Sequence, residues 1–296
     1  MANGKPRAVP FYPHEFVQRI SALGLADPSA LPLLALTPDD LNPIERQRVR
    51  EAIRRYGGDS SLLPLADEEL DGALGLITTA SGVRCPTLAG MLILGREATL
   101  RQLVPAHEVA FQVLEGTDVR MNEFFRKPLL QVFEEIERLF TARVVEKEIQ
   151  FGLFRVPVPN FDRRGFREAF VNALVHRDYA RLGAVHVRID DDGLTISNPG
   201  GFVEGVTLQN ILVTEPRPRN PLLADIAKRI GLAERTGRGI DRIFAGLLRY
   251  GRPAPDYSRT SGDSVVLRMT SVETDVTFME LVGRKSLPGG PCPWTA

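Results

Sequence analysis

Apolar residues along the chain recur at two spacings, and the alternation between them outlines the elements. Asn42-Pro43-Ile44-Glu45 supplies an N-cap, a proline at the first helical position and a capping-box glutamate, and Val49, Ala52, Ile53 and Tyr56 continue an apolar helical face until Gly57-Gly58 ends it. Asp67-Glu68-Glu69-Leu70 begins a short second helix, and Thr87 to Gly95 reads as a compact buried one. The density of Val, Phe and Leu from Glu108 to Leu114 predicts a strand, closed by the turn Gly116-Thr117-Asp118. Pro128 opens a long amphipathic helix with Leu129, Val132, Phe133, Ile136, Leu139 and Phe140 on one side. Val156-Pro157-Val158-Pro159-Asn160 then reads as an extended, hinge-like passage, and a domain boundary is placed beside it.

After that passage the pattern changes. Phe166, Phe170, Ala173 and Leu174 form an apolar helical stripe, while Glu168, Asn172 and His176, four apart each time, share another face. Asparagine is a poor helix-interior residue because its amide competes for backbone groups, so an Asn one turn after a Glu suggests ligand chemistry. Val185 to Ile189 and Leu194 to Ser197 are two strands joined by an Asp-Gly hairpin at residues 190–193, and Asn198-Pro199-Gly200-Gly201-Phe202 is a turn. Leu222 to Ile230 and Gly239 to Leu248 are amphipathic helices, and Ser264 to Arg268 is a late strand. This order predicts an α+β sandwich with helices on one face of a sheet. From Gly283 onward the Pro- and Gly-rich run is expected to be disordered.

Composition narrows the functional classes. The 296 residues carry 37 Lys+Arg against 37 Asp+Glu, so no global field steers the protein to nucleic acid or membrane. Cys85 and Cys292 lie far apart without metal spacing, which fits a cytoplasmic, reducing environment, and no apolar run approaches a membrane span. Two local basic patches remain. Arg46, Arg48, Arg50, Arg54 and Arg55 decorate the 43–56 helix, where a solvated face outweighs a nucleic-acid contact. Residues 216–252 hold nine Lys/Arg against three acids, and Arg238, between two glycines, is the candidate for phosphate. Arg177-Asp178 reads as a local ion pair.

Three segments call for one explanation. A Glu and an Asn one turn apart can divide the work of nucleotide hydrolysis: Glu168 orients or deprotonates water, and the Asn172 amide oxygen supplies one ligand to Mg²⁺. Gly237 and Gly239, flanking Arg238 at a loop-to-helix junction, let backbone N–H groups approach phosphates. Asn198, followed by Gly200 and Gly201, can accept from the exocyclic amine of a flat purine. His176 is a candidate for phosphate contact or proton transfer, although a lone His is more often a structural hydrogen-bonder. Arg219 and Asn220 could contact the ligand from a lid, or Asn220 could cap the next helix with Pro221 at N1.

In this order the segments resemble the GHKL (Bergerat) nucleotide-binding fold of gyrase, MutL and sensor histidine kinases. Glu168 and Asn172 are spaced like the E-x-x-x-N box, Asn198-Pro199-Gly200-Gly201 is similar to the adenine-side glycine box, and Gly237-Arg238-Gly239 to the phosphate-side box. A bacterial subfamily labelled RecG-like ATP-binding proteins, or transcriptional regulators, is more similar still, through Phe166 to Tyr179, Ile196 to Gly201, Arg219-Asn220-Pro221 and Gly231 to Ile240. The resemblance implies a two-layer α/β sandwich at 161–272, preceded by a smaller mixed α/β domain at 31–160 and an arm at 1–30 left from a Schlafen/AlbA-type domain, with a tail at 273–296. It implies ATP and Mg²⁺ as ligands and a regulatory role in transcription or DNA metabolism, with slow hydrolysis as the added enzymatic step. DNA would be bound through domains this chain lacks. A non-hydrolysing nucleotide sensor or DNA-associated regulator is the alternative, and no P-loop supports a helicase motor. Asn198 departs from the resemblance, since the adenine box usually begins with Asp.

Overall fold

The computed structural model describes residues 27–151, 154–215, 217–233 and 238–271. The Pro-rich C-terminal tail, Cys292 and Gly237 lie outside them, as does most of the N-terminal arm. The elements run α1 (Pro43–Tyr56), α2 (Asp67–Ala73), β1 (Ile77–Ala80), β2 (Val83–Pro86), α3 (Leu88–Leu94), α4 (Glu97–Leu103), β3 (Val109–Glu115), β4 (Asp118–Phe125), α5 (Leu129–Thr141), β5 (Glu146–Phe151), β6 (Phe154–Pro159), α6 (Arg163–His176), β7 (Val185–Asp190), β8 (Gly193–Pro199), α7 (Pro221–Ile230), α8 (Gly239–Leu248) and β9 (Ser264–Thr270).

The largest sheet has the order β4-β3-β7-β8-β9, antiparallel except for the β3–β7 pair. Its register aligns Phe111, Val187, Ile196 and Leu267 in one row and Val113, Ile189, Leu194 and Met269 in the next, and all of these are buried. Residues of the opposite parity include His186, Arg188, Thr195 and Arg268, so one face is apolar and the other polar, as the period of two requires. The helices cover the apolar face. The protein is therefore α+β, with a mixed sheet and one helical layer against it.

The helical layer is held by aromatic stacking and by long-range caps. Phe166 and Phe170 of α6 stack on Phe140 and Phe133 of α5, at centroid distances of 3.6 and 6.1 Å. The N-terminus of α7 is capped from the far end of the chain: Asp27 Oδ2 accepts from Leu222 N at 2.6 Å and Ser29 Oγ from Leu223 N at 3.1 Å. The C-terminus of α7 meets the end of α1, where Asp59 N donates to Arg229 O and Gly231, at φ 90°, abuts Tyr56 O. A Cβ at Gly231 would stand 2.7 Å from that oxygen, so both the left-handed backbone and the close approach need glycine.

Several expected details come out differently. β3 and β4 lie in the segment assigned to the 31–160 unit, yet they join the sheet of β7, β8 and β9, because β3 supplies the parallel partner that covers the open edge of β7. The Val156–Asn160 passage is extended as expected, but up to Pro159 it belongs to β6, the second strand of the β5–β6 hairpin. Pro128 is the N-cap of α5 rather than its first helical residue. Asn42 caps α1 through Ile44 N, whereas Glu45 is buried and accepts from Arg48 and Gln131, so no capping box closes. Asn198 and Pro199 belong to β8, and the turn begins at Gly200.

Candidate functional site

Helix α6 starts at Asp162, whose Oδ1 accepts from Gly165 N, and runs into the core between the sheet and α8. Glycines set the α6–α8 distance: a Cβ at Gly246 would come within 2.6 Å of Asp162 Oδ1. Glu168 on the second turn is only 4% exposed, and its Oε1 accepts from Arg242 Nη1 at 3.1 Å. One turn later Asn172 is half-buried, with no hydrogen bond to its amide among the described residues. The first residue of α8 closes over both. A Cβ at Gly239 would sit 2.8 Å from Glu168 Oε2 and 3.7 Å from Asn172 Nδ2, so only glycine lets the start of α8 approach the carboxylate.

Glu168, Asn172, His176, Asn198, Gly201, Arg219 and Gly239 all line one cavity of about 220 Å³ between α6 and the sheet. Asn198 enters from β8 on the same side as Ile196, is 5% exposed, and donates Nδ2 to Pro199 O at 3.2 Å. Ile196, Val265 and Leu267 make an apolar wall beside it. Gly200 stands behind the cavity rather than on it. Its φ is 93°, and a Cβ there would lie 2.8 Å from Asp178 Cβ, so this glycine serves the close passage of the chain beneath α6.

Arg219 and Asn220 have a different geometry from a lid contact. Arg219 donates Nε to His176 O and Nη2 to Gly201 O at 2.9 Å, joining the end of α6 to the loop after β8. Asn220 Nδ2 donates to Val175 O and Arg177 O, at 2.7 and 2.8 Å. It occupies the N-cap position of α7 without capping it, which leaves that task to Asp27 and Ser29. These bonds satisfy the carbonyls left over where α6 stops.

The His176 imidazole lines the cavity, and burial, with the nearby Arg219 charge, pushes it down to about 4. It is neutral at pH 7 and offers one donor and one acceptor, not a cation. Arg177 is not paired with the Asp178 carboxylate. Its guanidinium donates to the carbonyls of Ala106, Asp178, Arg181 and Gly183, and Asp178 pairs instead with Arg181. Backbone carbonyls win because the fully buried fork needs several acceptors that a single carboxylate cannot supply. Arg238 is the exposed N-cap residue of α8, outside the cavity wall.

Sequence reasoning missed three cavity residues. Lys228 lines the wall one helical turn from Ala224, with no ion pair among the described residues, and Arg217 joins it from the loop before α7. Among the nine basic residues of 216–252 the sequence singles out Arg238 alone. Ala224, four positions before Lys228 and so on the same helix face, lines the cavity with it. Tyr257 is the third: it is 8% exposed, its ring lies 6.1 Å from that of Phe202, and burial pushes its hydroxyl well up. Among the described residues no group of three or more His, Cys, Asp or Glu could hold a metal. The basic face of α1 is largely neutralised, with Arg46 on Asp71, Arg48 on Glu45 and Glu134, Arg50 on Asp67 and Arg55 on Glu137.

Residues 183–269 match the family described as "Putative ATP-dependent DNA helicase recG C-terminal", and residues 22–110 match a domain of unknown function, DUF8451. The first match supports an ATPase-type domain of the RecG-like kind. It covers Asn198 and the residues after it, while Glu168 and Asn172 on α6 precede it. No curated protein matches the chain. A crystal structure of the DIP2311 protein from Corynebacterium diphtheriae is similar at 25% identity, with a TM-score of 0.71, over 87% of this chain and 50% of that one. The chain thus spans about half the length of that protein. No helix among the described residues is long and apolar enough to cross a membrane.

Proposed function

We propose that this protein is a GHKL-type nucleotide-binding regulatory protein that binds ATP with Mg²⁺ in the cavity between α6 and the sheet. The observation that carries the reading is the convergence on one cavity of the Glu168–Asn172 pair with Asn198 and Gly239, which lie far along the sequence. The purine would lie against Ile196, Val265 and Leu267 with Asn198 at its edge, and the phosphates would reach toward Asn172 and the start of α8. The Asn172 amide, without a hydrogen bond among the described residues, fits a single oxygen ligand to Mg²⁺, in keeping with a metal that takes its remaining ligands from phosphates and water. When bound, the metal would neutralise phosphate charge. Lys228 and Arg217 would add positive charge at the same wall.

Turnover is the second part of the proposal. Glu168, whose Oε1 accepts from Arg242 Nη1, is the residue proposed to orient water. The hydrolysis proposed is slow, a resetting step rather than a motor stroke. Glu168→Gln should lower phosphate release by about a hundredfold or more while leaving ATP affinity within a few-fold. Unchanged turnover in this variant would remove Glu168 from the mechanism and leave the non-hydrolysing sensor reading.

The wider assignments rest on the same reading. The nucleotide-binding unit is proposed to start before β3 rather than at residue 161, because β3 and β4 share its sheet. The region before it is proposed to be the linking unit of longer, cytoplasmic relatives that act in transcription or DNA metabolism. DNA contact would then fall to an AlbA-type domain rather than to α1, whose arginines are largely paired.

A further inference from the structure

The sheet wall of the cavity carries two polar side chains, and both are more than nine-tenths buried: Asn198 on β8, at 5% exposure, and Tyr257 ahead of β9, at 8%. Neither is charged. The Asn198 amide nitrogen is engaged with Pro199 O, and its Oδ1 has no donor among the described residues. The Tyr257 hydroxyl has no hydrogen-bond partner among the described residues either, and burial keeps it protonated. The carboxylates that line the cavity, Glu168, Glu215 and Asp241, come from the helical layer and the loop after β8, not from this wall.

Taking the nucleotide reading above as its basis, we propose that this wall accepts purine nucleotides with either an amino or an oxo group at C6. A carboxylate at a base edge can only accept, so it rewards an exocyclic amine and repels a carbonyl oxygen. An amide and a hydroxyl can each do both. As placed, Asn198 Oδ1 accepts from an amine. Rotating the amide by half a turn presents its N–H groups to an oxo group and gives up the bond to Pro199. The Tyr257 hydroxyl rotates without such a loss and can donate to an unprotonated ring nitrogen or accept from a protonated one. The adenine preference is therefore limited to the loss of one neutral hydrogen bond, about fivefold to tenfold.

Inosine triphosphate, which differs from ATP by the oxo group at C6 and the proton at N1, is the direct probe. Calorimetric titration of the full chain with ATP and with inosine triphosphate should give affinities within about tenfold of each other. Asn198→Asp should widen that ratio to about a hundredfold or more in favour of ATP, because the inosine oxygen then faces an acceptor that cannot rotate into a donor. Tyr257→Phe should weaken both ligands by a similar factor, about threefold to tenfold. A wild-type preference for ATP of more than about a hundredfold would overturn the proposal while leaving nucleotide binding intact. The same holds if Tyr257→Phe leaves both affinities unchanged. The wild-type ratio decides the matter even if a buried carboxylate at 198 prevents folding. Binding of neither nucleotide at millimolar concentration would instead remove the nucleotide reading itself.

Discussion

At the scale of single residues, the site is a set of small positional choices with large consequences. Gly239 is the clearest: a methyl group there would press on Glu168 Oε2 at 2.8 Å, so Gly239→Ala must displace either the carboxylate or the start of α8. Lys228 is the next. With no ion pair among the described residues, its ammonium is available to phosphate, and Lys228→Gln should weaken ATP about tenfold or more while adenosine binding stays unchanged, as titrations of the two ligands would show. Equal loss for both ligands would mean a packing role. Spacing revealed Glu168 and Asn172 because an i, i+4 relation is local. Tyr257 was illegible for the opposite reason, since it reaches the cavity through the Asp256–Arg268 bridge to β9 and the pairing of β9 with β8. Arg219 and Asn220 were read from a motif, and their partners are the carbonyls that end α6, which no sequence pattern displays.

Two histidines, the buried His107 and the partly buried His176, give the residue scale a pH dependence. Burial pushes His107 and His176 down to about 4. An unfolded histidine binds its proton near the ordinary value of about 6.5, so in the window between these values the unfolded chain holds more protons than the folded one. Their stabilising effect is fully present above the ordinary histidine value and is lost as the pH falls toward 4, by about 1 kcal/mol per pH unit for each histidine. Urea unfolding at about pH 7 and about pH 5 should show this loss, and His176→Gln should make it shallower. A stability that is flat across that window would mean that the rings are more hydrated than the fold shows.

At the scale of elements, α7 is the piece on which the site depends, and it is held from both ends by the N-terminal region. Asp27 and Ser29 cap its first turn, while Tyr56 and Asp59 receive its last. Arg167, next to Glu168, donates to Gly231 O and Leu232 O and lies 4.4 Å over the Tyr56 ring. The chain enters and leaves α7 through segments that border the cavity, so loosening α7 should loosen the site. Asp27→Ala removes a long-range cap and should lower stability by about 1 kcal/mol in denaturant titration, together with a loss of ATP affinity. Unchanged affinity alongside lower stability would detach α7 from ligand binding. The helices themselves were legible, since the amphipathic period marks α5, α7 and α8 within a residue or two. Their caps were not, because Asp27 reaches α7 from a distant part of the chain.

At the scale of the whole molecule, the sheet decides where the nucleotide-binding unit begins. Proline-rich sequence near residue 160 looked like a boundary because each proline enforces extended backbone, but extended backbone is equally what a hairpin strand needs. The parallel pairing of β3 with β7 spans about half the unit in sequence and leaves no local trace, which is why strands were identified while their partnership was not. A fragment starting at residue 161 would lose β3, β4 and α5, and would expose Phe166 and Phe170 of α6. Its thermal melt should show no cooperative transition, whereas the full chain should give one.

The cavity between α6 and the sheet is proposed to bind a nucleotide with Asn172 at the metal. The most direct test is calorimetric titration of the full chain with ATP, with and without Mg²⁺, repeated on Asn172→Ala. The wild-type protein should show saturable binding that Mg²⁺ strengthens, and the variant should lose the Mg²⁺ effect. Absence of binding at millimolar ATP, or an undiminished Mg²⁺ effect in Asn172→Ala, would contradict the proposal.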